Sequence, residues 1–272
     1  MTCGGALGAV LLLFASSTKA AVASPAHPAR GATFTSRPEA GGTHIRIGTR
    51  GGPVHVFRPA GYDRRTAGIV VYVHGYYVHV DEAWREHKLA RQFASSQRNA
   101  LFVAPEAPAA AEEKSDWGNL RAKLASSLRR ARIEPPHGPV ILVGHSAAYR
   151  TIVPWLDEPS VHNVILIDAL YGNEPEFRAW LDRSPSNQMT LVVKGTAKWA
   201  DPFVRALPYA RTVPEIPGRL GQLSAADRSA RVLSLRSQYG HFELITDGKV
   251  MPLLLGRTPL PSIKRTRAAR AP

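Results

Sequence analysis

The sequence predicts an α/β protein built on a doubly wound, mostly parallel sheet, and three observations lead there. Short β-branched apolar runs recur along the chain, amphipathic stretches of helical period separate them, and 22 Gly and 22 Pro punctuate the boundaries. Strands alternating with helices need crossover connections, which are right-handed and cover both faces of a parallel sheet. At 272 residues, 44% hydrophobic and 21% charged, the chain has ordinary globular usage and length enough for one sizeable core.

Residues 1–23 read as a secretory signal segment. The apolar run from Ala6 to Ala15 falls well short of the roughly 20 residues that a membrane span requires. Ala21-Val22-Ala23 before Ser24 resembles a small-residue cleavage site. The start lacks Lys or Arg and Lys19 lies beyond the run, so an uncleaved anchor is the competing reading; the expectation is export, periplasmic or secreted. Residues 24–42, with Pro25, Pro28 and Pro38, read as a flexible leader, residues 43–256 as the domain proper, and residues 257–272 as a basic tail.

Within the domain, Thr43 to Gly48 and Pro53 to Arg58 predict a hairpin around Arg50-Gly51-Gly52, antiparallel at the sheet edge. Gly68 to His74 (GIVVYVH) predicts a buried strand. Asp81 can cap a helix running to about Gln97, with Trp84, Leu89 and Phe93 inward. Ala100 to Ala104 predicts a strand halted by Pro105, and Asp116 to Arg132 a helix ended before Pro135-Pro136. Val140 to Val143 is a strand running into Gly144-His145-Ser146, with a helical stretch through Trp155 after it. The strands Val164–Ile167, Thr190–Val193 and Val232–Leu235 follow, with a helix near Glu176 to Leu181. The last helix, Phe242 to Leu255, is expected to be interrupted by Pro252.

The net charge of +14 suits electrostatic association with an anionic envelope surface. The arginines are scattered from Arg30 to Arg270 without a tight basic-aromatic motif, so no specific nucleic-acid partner is expected. One cysteine, Cys3, excludes a disulfide framework or a thiolate metal site. His79 and His87 do not form an HExxH pair, and no metal site is expected.

The strand-turn-helix at Ser146 carries the chemistry. A serine in a tight strand-to-helix turn is held in a strained backbone that lifts its Oγ above the strand ends, and small neighbours let strand and helix approach. Ala148 takes the place of the second glycine of G-x-S-x-G, small for small. Merely capping a helix is the competing role for such a serine. The hydroxyl needs a base, and His241 is best placed of the ten histidines, after the last strand through Gly240. His44 and His55, in the opening hairpin, read as surface positions. The base needs a carboxylate to fix its tautomer. Asp168 is preferred because it sits directly at a strand end; Asp201, in the loop 197–202, competes. Oxyanion donors are expected from the Ala147 amide and from the loop at His74-Gly75-Tyr76, with His74 anchoring that loop.

The order HG, G-H-S-A-A, D, H over these strands resembles the α/β-hydrolase superfamily, from about Thr43 to Leu255. The resemblance implies an eight-stranded, mostly parallel sheet, Ser146 as nucleophile, His241 as base and an oxyanion donor near Tyr76. Most members carry the acid after the strand matching Thr190–Val193, which favours Asp201. A lipase-like branch carries it one strand earlier, which matches Asp168. No cofactor is called for, because acyl transfer needs only the triad and the oxyanion hole.

The expected activity is serine hydrolysis of a carboxylic ester, or of an amide, on a small or polymer-linked substrate. The alternative is a catalytically inactive hydrolase-fold protein that binds an anionic envelope surface. There is no insertion for a large cap domain. The irregular stretch 197–230 is expected either to arch over the site, with Trp199, Phe203 and Tyr209 as lining, or to pack on its own aromatics.

Overall fold

The computed structural model describes residues 34–114 and 117–263. The signal segment and the tail from Lys264 to Arg270 lie outside the described residues.

In chain order the strands are β1 (Phe34–Glu39), β2 (Gly42–Thr49), β3 (Gly52–Arg58), β4 (Gly68–Val73), β5 (Ala100–Pro105), β6 (Val140–His145), β7 (Val161–Ile167), β8 (Gln188–Val193), β9 (Ala210–Val213) and β10 (Val232–Arg236). They form one sheet in the order β1-β2-β3-β5-β4-β6-β7-β8-β10-β9. The sheet is mixed: β1, β2, β3 and β5 pair antiparallel in succession, and every pairing from β5 through β4 to β9 is parallel. The predicted count of eight strands is corrected to ten among the described residues. The two additions are β1, inside the segment 24–42 expected to be a flexible leader, and β9, inside the stretch expected to be irregular. Both are outermost strands with little buried side chain, so neither carries the apolar alternation by which a half-buried strand announces itself.

Successive residues of β4 go to opposite faces, as the two-residue period of a strand requires. Ile69, Val71 and Val73 join one core with Leu124, Leu128, Trp155, Phe177 and Trp180. Val70 and Tyr72 join the other with Trp84, Phe93, Leu244, Met251 and Leu254. All six residues of β4 are buried, and a fully buried Val contributes about 1.5–3 kcal/mol, which makes this strand the centre of the fold.

The helices are α1 (Val80–Glu86), α2 (Leu89–Ser95), α3 (Leu120–Arg130), α4 (Tyr149–Ile152), α5 (Glu174–Arg183), α6 (Ala197–Arg205), α7 (Ala225–Ser229), α8 (Glu243–Thr246) and α9 (Val250–Leu255). The helix expected from Asp116 to Arg132 spans Leu120–Arg130, capped by the Asn119 side chain, which accepts from the Ala122 amide. Three further placements differ from the sequence expectation. The single helix predicted from Asp81 to Gln97 is two, because Lys88 takes a left-handed conformation (φ 50°) between α1 and α2. Asp201 lies on α6 and not in a loop. The break in the last helix falls at Asp247-Gly248, with Gly248 at φ 77°, while Pro252 sits in the first turn of α9, where its missing N–H costs no helical bond. The segment 197–230 is ordered into α6, β9 and α7, with Phe203 and Val204 in the core.

The tail's first residues are also part of the fold. Arg257 donates to Thr190 Oγ1 (2.5 Å) and to the Ala230 carbonyl (2.8 Å), and burial lowers its pKa to about 10. The Ile263 amide donates to the Gln97 carbonyl.

β4 connects outward to β5 through α1 and α2 on one face, then the chain returns past β4 to β6 through α3 on the other. Strand order therefore reverses between β4 and β6. A crevice opens beyond the carboxyl ends of strands at such a switch point, and Gly75 and Ser146 follow those two strands.

Candidate active site

β6 ends at His145, which is extended (φ −114°, ψ 136°), and Ser146 turns at once into the left-handed region at φ 56°. A non-glycine residue there is uncommon and costs about 1–3 kcal/mol. The turn is tight because its neighbours are small. A methyl group on Gly144 would lie 2.5 Å from Ile152 Cδ1 and 2.9 Å from Ala148 Cβ, and one on Gly75 would lie 2.6 Å from Ser146 Cβ and 3.2 Å from its Oγ. Gly75 is thus the wall against which the serine stands.

The loop after β4 is pinned from below. The His74 Nδ1–H donates to the Gly75 carbonyl (2.8 Å), and His74 Nε2 lies 3.0 Å from the Ala107 amide and 3.1 Å from Glu106 Oε1. The Tyr77 amide donates to the Ala109 carbonyl. Among the described residues the Tyr76 and Ala147 amides donate to no protein acceptor, which is the state expected of groups kept for a ligand oxygen. The Tyr76 hydroxyl accepts from Arg150 Nη1, and Tyr77 is almost fully exposed with its ring against Tyr76.

Asp168 follows β7 and is also left-handed (φ 45°), and its side chain is fully buried. Its Oδ1 accepts from the Lys194 amide (2.9 Å), the Thr196 amide (3.0 Å) and the Thr196 hydroxyl (2.9 Å). Its Oδ2 accepts from the Gly195 amide (3.0 Å) and from His241 Nδ1–H (2.6 Å). Burial by itself would raise the carboxyl pKa, but these donors outweigh it and hold Asp168 well below the usual carboxylate range. The proton on His241 Nδ1 leaves Nε2 as the ring's acceptor.

The structure therefore brings Asp168 and His241 together, and it separates Asp201, which pairs with Arg236 at 2.5 Å. Ser146 lies beside this pair in the sense that the preceding residue touches it: the His145 ring lies tilted at 33° with its centroid 4.6 Å from that of His241, and its Nε2–H donates to the His241 carbonyl (3.1 Å). The Ser146 hydroxyl makes no hydrogen bond with protein among the described residues. Catalytic hydrogen bonds are often long without a ligand and shorten when one binds.

Sequence reasoning missed the cradle around Asp168. Its signal was the Lys194-Gly195-Thr196 run just past β8, where successive amides converge on one carboxylate. It also placed His44 and His55 on the surface, whereas both are buried. They stack on Trp84 and on each other, and the chain Glu39–His44–His55–Asp81 links them at 2.8–2.9 Å. Reciprocal polar partners from distant segments let imidazoles go inside.

Burial lowers His145 to about 3, aided by the nearby His241, lowers His44 to about 3, aided by His55, and lowers His87 as well. A histidine whose folded-state pKa is depressed stays neutral where the unfolded chain protonates. Stability is then complete above the unfolded value of 6.5 and is lost as pH falls below it. His145 and His44 should each steepen the loss by up to ~1.4 kcal/mol per pH unit between about 6 and 4, and His87 acts in the same direction. Chemical denaturation at graded pH checks this, and His145→Gln should flatten the slope even where it lowers stability throughout. An unchanged slope would show that His145 does not titrate in this way.

Among the described residues no group of three or more His, Cys, Asp or Glu is arranged to hold a metal ion. No family model and no curated protein matches the sequence. Solved structures do match the fold. A feruloyl esterase module from Clostridium thermocellum shares 12% identity at a TM-score of 0.53, covering 84% of this chain and 96% of that one. An S-formylglutathione hydrolase from Staphylococcus aureus shares 9% at 0.53, covering 83% and 99%. A thermophilic carboxylesterase cloned from a metagenomic library shares 13% at 0.50, covering 84% and 89%. The described chain shares the fold of these esterases and this hydrolase, the α/β-hydrolase fold.

Proposed function

We propose that the protein is an exported serine hydrolase that cleaves carboxylic esters through Ser146, His241 and Asp168. The observation that carries the reading is the 2.6 Å bond from His241 to a buried, ionised Asp168, beside a serine held in a left-handed turn. In this mechanism His241 Nε2 takes the Ser146 hydroxyl proton as Oγ attacks the ester carbonyl. Asp168 stays ionised and stabilises the imidazolium. The carbonyl oxygen, now an anion, accepts from the Ala147 and Tyr76 amides. His241 then gives its proton to the departing alcohol, and the same groups activate water against the acyl-enzyme.

The esterase activities named for two of the structural neighbours support ester chemistry. The exported location rests on the apolar run and small-residue site of residues 1–23. The test is labelling by a fluorophosphonate probe with intact-mass and peptide analysis. One adduct on Ser146 is expected in the wild type. Absence of an adduct would favour the inactive binding protein, and an adduct elsewhere would remove Ser146 as the nucleophile.

A further inference from the structure

A second site lies away from the reaction centre, where β1 faces the α1–α2 break. An open cleft of about 610 Å³ runs between them, with Arg37 on the strand side and Arg85, Lys88 and Arg91 on the helix side. Its volume falls within the range of small-ligand pockets, and it includes none of Ser146, Asp168 and His241.

The carboxylate inside it does not neutralise it. Glu39 is turned inward, where it accepts from Trp84 Nε1 (3.2 Å) and lies 2.9 Å from His44 Nδ1, with Arg37 at 3.3 Å. Among the described residues Arg85 pairs only with Glu86, at 3.4 Å and on the exposed side. Lys88 and Arg91 have no carboxylate partner among the described residues. Arg85, Lys88 and Arg91 follow one another at three-residue intervals, so the helix break turns all three cations toward one space, and Arg37 closes it from the opposite wall. Arginine forks take oxyanions bidentately, and several cations converging on one volume suit a ligand with more than one anionic group.

We propose that this cleft binds a small multivalent oxyanion, with phosphate or carboxylate groups joined by a short linker. The site is independent of the ester-hydrolase reading. Isothermal titration of the full chain with tripolyphosphate and with citrate tests it and separates the two oxyanion sources. The informative variant is Lys88→Gly with Arg91→Gln. Glycine is at ease in the left-handed conformation Lys88 adopts (φ 50°), so the change removes charge without straining the break. A control, Arg129→Gln with Arg130→Gln, removes two charges from exposed positions on α3, across the sheet. One-to-one binding of either ligand is expected. It should weaken by about tenfold or more in the cleft variant, the scale of one or two charge-assisted hydrogen bonds, and stay near wild type in the control. The tighter ligand names the anionic group. Binding of neither ligand would overturn the proposal, and so would equal weakening in both variants, which would assign the affinity to diffuse surface charge.

Discussion

Ser146→Ala is expected to lower kcat for ester hydrolysis by roughly 10⁴-fold or more, with little change in KM, because triad members act as a unit and losing the nucleophile removes the covalent route. The variant should fold: alanine fills nearly the same volume, and the serine hydroxyl makes no bond with protein whose loss would be felt. Residual turnover would come from the oxyanion donors at Ala147 and Tyr76. Steady-state rates on a p-nitrophenyl ester, with circular dichroism as the fold control, decide it. Turnover within tenfold of wild type would remove Ser146 from the mechanism.

Asp168→Asn should be nearly as damaging, at roughly 10⁴-fold in kcat, because an amide can present its NH₂ to His241 Nδ1 and so favour the wrong imidazole tautomer. The amide also forfeits charge in a cradle of three backbone N–H groups and a hydroxyl, all of which now stabilise an anion. Asp201→Asn is the natural comparison. It loses a partly exposed ion pair with Arg236, worth about 0–1 kcal/mol, and should leave kcat within a factor of two or so. The reverse pattern, with Asp201 essential and Asp168 dispensable, would move the acid to α6 and contradict the geometry of the site.

The parts of this site that were legible in the sequence share one property: their placement follows from local chain geometry. Gly144-His145-Ser146 sits between an apolar strand and a helix, and small residues on both sides leave the turn little choice. Asp168 directly ends its strand, and His241 follows the last strand by a few residues, so sheet topology delivers both to one edge. What stayed hidden depends on distant partners. The six residues of β1 are mostly exposed, its one large apolar side chain, Phe34, included, and they form a strand only because β2 offers an unpaired edge. His44 and His55 are buried because Glu39, Asp81 and Trp84 arrive from other segments to meet them. The break at Lys88 carries no glycine or proline to mark it.

The left-handed backbone of Ser146 has a bearing on robustness. Conformational energy is spent at the proposed nucleophile, since glycine would occupy that bend more cheaply but bring no hydroxyl. Variants selected for heat tolerance alone would accordingly drift toward glycine at position 146, and under the proposed mechanism they would fall silent, a trade of durability against turnover.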